Sequence, residues 1–192
     1  MTLIGFKRMT IGVHGEDGLV TDKFVVEGKT GEGATVSAEI EGLDSEAVKV
    51  YGSNIPYYVL KKGTGDVSVN LGLLDLLETV NDKILGYKLD DVNGFAFIGE
   101  DTEPPYCSIM LESETMDGKR AMLGLLKGKF GRGGYAMNTT EGENPEPDAD
   151  EYTFSCIASD REGDSNGQTV VKYMGGDKED EFEELVLPEL LP

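Results

Sequence analysis

The sequence contains no tryptophan, one histidine and two cysteines, and these scarcities argue against whole classes of chemistry. His14 lies in a turn between two strand-like runs, and the chain has no GxSxG elbow, so nothing pairs a nucleophile with a base. Cys107 and Cys156 stand in YCSIML and YTFSCIA without CxxC or Cys/His spacing. They read as two small core residues rather than a zinc site or redox pair. No apolar run approaches the roughly 20 residues of a membrane-spanning helix, and the N-terminus lacks a signal peptide's apolar core and cleavage site. The expectation is a soluble protein made in the cytosol. Basic residues are also few, 17 against 37 acids for a formal charge of −20. Such a surface repels phosphate backbones and anionic lipids, which argues against membrane binding and against DNA binding through a basic patch.

What is present is glycine, 26 residues of it, between short β-rich runs in a 192-residue chain that is 39% hydrophobic. That length suffices for one buried core, and no Pro- or Ser-rich linker divides it. LIGFKRMTIGV, LVTDKFVVEGK and GATVSAEIEGL read as three successive strands, the first two a hairpin. Val67, Val69, Leu71 and Leu73 alternate with polar or small residues, the period of a strand with one buried face. Asp75 follows as an expected helix N-cap with Glu78 three residues on, and Leu76, Val80 and Ile84 form an apolar stripe widened by Leu77 and Leu85. Gly86 suits the C-terminal stop. FAFIG, PYCSIMLES, KRAMLGLLKGKF, EYTFSCIAS and QTVVKYM supply further strands. The expected fold is mainly β, a two-sheet sandwich or barrel of eight or nine strands with one flanking helix over about 75–86.

Motifs with chemistry are weak. EGDSNG at 162–167 starts like a calcium loop, but Tyr173 stands where the bidentate Glu belongs, so a turn is the better account. GKFGRGG at 128–134 shares only its glycines with a phosphate-binding loop. Among so many carboxylates no hydrolytic pair can be singled out. No catalytic, cofactor or metal residue is assigned, and no enzyme activity is expected. Two acidic segments stand apart, EGENPEPDADE at 141–151, read as a loop, and DKEDEFEE at 177–184, which can begin a helix ending before Pro188.

An all-β domain with a long connection over residues 42–64 and little catalytic content points to an interaction protein, whose sheet edges must be managed. The segments IGFKRMTIGV, GATVSAEIEGL, KVYGSNIPYY, GTGDVSVNLGLLDL, ILGYK, GEDTEPPYCSIMLES, LKGKF and SDREGDSNGQTVVKY resemble the major tail proteins, or tail-tube proteins, of siphophages infecting Gram-positive bacteria. The resemblance spans nearly the whole chain. It implies a tail-tube β-domain over 1–176 with an acidic C-terminal arm over 177–192, located in the virion tail after synthesis in the host cytoplasm. It further implies six-membered rings stacked into a tube through which DNA passes without specific binding. The implied partners are other copies of the chain, a tape measure protein, a tail terminator and a distal tail protein, with no cofactor.

The connection from about Leu43 to Gly65 matches the family's extended loop, which reaches an adjoining ring. Tyr51, Ile55, Tyr57, Tyr58 and Leu60 are then expected to anchor the contact between copies, and Lys61, Lys62, Lys127, Lys129 and Arg132 to pair with acids of adjoining subunits. The alternative is intramolecular, with the same aromatics covering one end of the sandwich core. The acidity has two readings as well, a lumen that repels DNA or an outer wall that keeps free subunits apart. Other function classes are an acidic β-domain that mimics DNA and, third, a carbohydrate-binding or adhesion sandwich.

Overall fold

Alternating apolar residues and glycine-marked turns produce an antiparallel β architecture. The computed structural model describes residues 2–90, 92–137, 139 and 148–189. In chain order the elements are β1 (Leu3–His14), β2 (Val20–Val26), β3 (Ala34–Glu41), β4 (Val48–Gly52), β5 (Ile55–Leu60), β6 (Ser68–Leu74), α1 (Glu78–Leu85), β7 (Lys88–Asp90) and β8 (Phe95–Phe97). They continue as β9 (Cys107–Thr115), β10 (Arg120–Arg132), β11 (Asp150–Cys156), β12 (Val170–Met174) and α2 (Glu179–Val186). The expected mainly β fold is therefore present. Most of the acidic segment at 141–151 falls outside the described residues, which resume at Asp148.

Eight strands form one sheet in the order β2-β1-β9-β10-β11-β6-β3, with β12 also pairing to β10. The long β10 makes the branch: Ala121–Leu125 pair with β12, and Gly128–Arg132 pair with β11. This divergence lets one continuous sheet fold over as a sandwich, and the Thr35 hydroxyl donates to the Phe6 carbonyl at 2.8 Å where β3 returns to β1. The other four strands form two separate ribbons, β4–β5 and β7–β8.

The interior is filled by Met9, Ile11, Val69, Leu71, Leu73, Ile109, Leu125 and Phe154, all essentially inaccessible. Burying each such side chain stabilises by about 1.5–3 kcal/mol. A second apolar layer joins Met110, Met122 and Leu126 of the sheet to Phe182 and Val186 of α2 and to Leu187. Strand β9 is thus buried on both faces, Ile109 and Leu111 inward and Met110 under α2. Phe182 stacks on Tyr173 of β12, ring centroids 5.7 Å apart. An ionic chain also ties α2 down: the nearly buried Glu112 accepts from Arg8 and from Arg120, at 2.7 and 2.9 Å from the latter, and Arg120 reaches on to Glu179.

Helix α1 lies within its expected range, but its start is a correction. Leu77 is the N-cap residue and no side chain caps the helix. Asp75 has φ of 50°, so the chain turns through a left-handed residue before the helix begins, and the Asp75–Glu78 capping box does not form. Val80, Ile84 and Leu85 are buried while Leu77 is largely exposed. The helix ends as expected at Gly86, left-handed at φ 68°, with the Tyr87 N–H donating to the Asp82 carbonyl at 2.9 Å. A Cβ here would collide with the Glu103 carbonyl.

Candidate assembly surface

The connection expected as a long loop folds as a ribbon. Strands β4 and β5 pair from Val48 opposite Leu60 to Gly52 opposite Ile55, with an irregularity at Val50/Tyr51. Ser53 and Asn54 form the two-residue turn, both left-handed at φ 51° and 64°. Two positive-φ residues match the right-handed twist of the strands, and Asn tolerates that region better than most side chains. At its root the chain leaves the sheet at Gly42 and returns at Gly65, whose N–H donates to the Gly42 carbonyl at 2.9 Å. Gly42 is left-handed at φ 74°, and a Cβ on it would meet the backbone of Asp66, so the root is closely fitted.

All residues of the ribbon but Gly52 are exposed. Tyr57 is 80% accessible, Tyr51 65% and Ile55 60%, with Tyr58 and Leu60 about half open. In the single chain these side chains stand open to solvent rather than covering the end of the sandwich. An isolated two-stranded ribbon is marginal in water, and this one carries apolar side chains on both faces.

The basic residues expected at the contact differ in setting. Lys61 faces Asp44 at 2.5 Å, both exposed, a pair of small energetic weight. Lys49 and Lys62 have no ion-pair partner among the described residues. Lys127 meets Asp160 at 2.7 Å and Lys129 meets Glu103 at 3.2 Å, and both ammonium groups lie 4.7 Å from the Tyr106 ring. Arg132 is the most enclosed, 9% accessible. It donates to Asp150 at 2.5 Å and to the Tyr152 hydroxyl at 3.1 Å, and stacks over Tyr135 at 4.0 Å. The structure therefore groups the ribbon residues together, and it gives Lys127, Lys129 and Arg132 acids of their own subunit.

A second exposed ribbon is invisible to sequence reasoning. Strands β7 and β8 pair from Lys88 opposite Phe97 to Asp90 opposite Phe95. The Asp90 carboxylate accepts from the Val92 and Asn93 N–H groups at 3.0 and 3.3 Å and shapes the turn. Leu89, Phe95, Phe97 and Ile98 are each at least half open. The FAFIG string reads as an ordinary strand, and only the three-dimensional structure shows it uncovered.

His14 lies in a cleft with Tyr106, Lys127, Asp160, Arg161 and Leu185. Its Nε2 is buried without a hydrogen-bond partner among the described residues. Burial, with Arg161 and Lys127 nearby, lowers its pKa to about 4, so the imidazole is neutral near neutrality. Burial pushes the thiols of Cys107 and Cys156 up to about 12, which makes both poor nucleophiles. The EGDSNG segment forms a turn closed on Ser159, which donates to the Gln168 carbonyl and accepts from the Gly167 N–H at 2.8 and 2.7 Å.

A family model described as phage tail tube protein matches residues 2–190. No curated protein sequence matches the chain.

Proposed function

The chain belongs to the phage tail tube protein family, a structural component of the phage tail, and from that membership we propose that its copies close into hexameric rings which stack into the tube that DNA passes through. The supporting observation is the β4–β5 ribbon, whose apolar side chains stand in water in the single chain. We assign Tyr51, Ile55, Tyr57, Tyr58 and Leu60 to the contact between copies, with Lys61 and Lys62 beside them. Lys127, Lys129 and Arg132 pair with Asp160, Glu103 and Asp150 of their own subunit. Tape measure, terminator and distal tail proteins meet the tube along its lumen and at its two ends.

A head-to-tail contact between unlike surfaces either closes a ring or propagates, and a tube needs both. Aromatic side chains held on a rigid ribbon suit the buried centre of such a contact. The test is the double variant Tyr57→Ser/Tyr58→Ser. Because both positions are exposed, its monomer should unfold within about 0.5 kcal/mol of wild type. Negative-stain electron microscopy should show rings or tubes for wild type and none for the variant at the same concentration. Tubes of undiminished yield from the variant would overturn the assignment of the ribbon.

A further inference from the structure

The two ribbons are opposites in charge and alike in apolarity. From the Gly42 root to Gly65 the chain carries Lys49, Lys61 and Lys62 against Asp44 and Glu46, a net charge of +1. From Lys88 to Glu103 a single lysine stands against Asp90, Glu100, Asp101 and Glu103 among the described residues. In β4–β5 one face presents Val48, Val50, Tyr58 and Leu60, which are cross-strand partners, and Lys61 and Lys62 follow directly. In β7–β8 one face presents Phe95 and Phe97 beside their cross-strand partners Asp90 and Lys88, Ile98 follows, and Glu100 and Asp101 come just beyond. Each ribbon thus places exposed apolar side chains beside a pair of like charges, and the two pairs have opposite sign.

Their roots share one row across the sheet. Glu103 closes the β7–β8 excursion and pairs with Lys129. Lys129 lies opposite Ser155, Ser155 opposite Ser68, and Ser68 opposite Glu41, which precedes the Gly42 root of β4–β5. The ribbons therefore spring from the same end of the sheet, on different strands, so that copies set side by side can bring one ribbon of each against the other ribbon of its neighbour.

Resting on the self-assembly reading above, we propose that the β7–β8 ribbon is the acceptor for the β4–β5 ribbon of a second copy of this chain. The apolar side chains of Tyr58 and Leu60 and of Phe95 and Phe97 cover one another, and Lys61 and Lys62, which follow Leu60 directly, meet Glu100 and Asp101. Complementary charge sets register and rejects wrong pairings, while the apolar faces supply most of the affinity.

Two charge-reversed chains test this, K61E/K62E and E100K/D101K. Alone, each sets like charges against each other, and its association, followed by sedimentation, should weaken about tenfold or more relative to wild type. Mixed in equal amounts, the two restore opposite charges at every contact, and association should return to near the wild-type level. A mixture no better than its components overturns the proposal. Cysteine pairing supplies a second readout that needs no stable assembly. A Tyr58→Cys chain mixed with a Phe97→Cys chain and oxidised mildly should give the mixed disulfide in excess over both like-with-like products; a statistical distribution also overturns the proposal. Wild-type tubes combined with a failed rescue would leave the tube reading standing and remove this one. Mixed cross-links without wild-type rings or tubes at any concentration would uphold the ribbon pairing and count against self-assembly into a tube.

Discussion

His14 keeps its Nε2 buried without a hydrogen-bond partner among the described residues, with Arg161 and Lys127 nearby. The folded protein therefore holds it neutral down to about pH 4, while the unfolded chain protonates it near its ordinary value of 6.5. Its contribution is fully present above pH 6.5 and is lost as the pH falls from there through about 4. The carboxylates titrate over part of the same range, so the informative quantity is a difference. In thermal melts, wild type should lose more stability between pH 6.5 and 4 than His14→Gln does; parallel curves would contradict the burial argument. Single residues also divide what sequence could show from what it could not. Gly86 was legible because a helix stop favours a left-handed residue. Asp75 misled because an acid three residues before Glu78 fits a capping box, while the backbone there turns left-handed and the helix begins two residues later. Glu112 gave no local sign of its role, since Arg8, Arg120 and Glu179 gather around it only after folding.

Among the elements, α2 shows how an acidic segment becomes part of a core. Its charged side chains face outward, and Phe182 and Val186 reach the second apolar layer. Truncation by Phe182→Ala should cost about 3–5 kcal/mol, read from urea unfolding. A loss below about 1 kcal/mol would mean that α2 adds little to the sheet. Strands β1, β2, β3, β6 and β9 to β12 were readable as β-rich runs bounded by turn residues, although clean alternation shows in β11 and is lost in β9, which is buried on both faces. The ribbons were less so. A hairpin turn is recognised mainly by glycine, and Ser53-Asn54 makes this one without it. The apolar strings YYVL and FAFIG have the composition of core strands, and composition does not say which apolar residues find cover inside the subunit. Twelve strands rather than eight or nine follow from these two ribbons among the described residues.

For the whole molecule, charge dominates encounter. Two bodies of formal charge −20 repel over a distance set by salt, about 30 Å at 0.01 M and about 8 Å at 0.15 M. Pairs desolvated at a contact are screened much less than charges facing across water. Raising salt from 0.01 to 0.15 M should therefore speed association of wild-type subunits, measured by light scattering; a slowing would show that exposed opposite charges, not body repulsion, control the approach. The pairing of β1 with β9 also sets a timetable. Leu3 lies opposite Thr115 and Val13 opposite Cys107, partners about a hundred residues apart, whereas each ribbon joins strands only a few residues apart. Local hairpins form in about 1–10 μs, and sheets built from such distant partners close in milliseconds to seconds. A new chain can thus sample both ribbons many times before its sheet has closed, so the delay between synthesis and a subunit ready to join others is set by the meeting of β1 and β9.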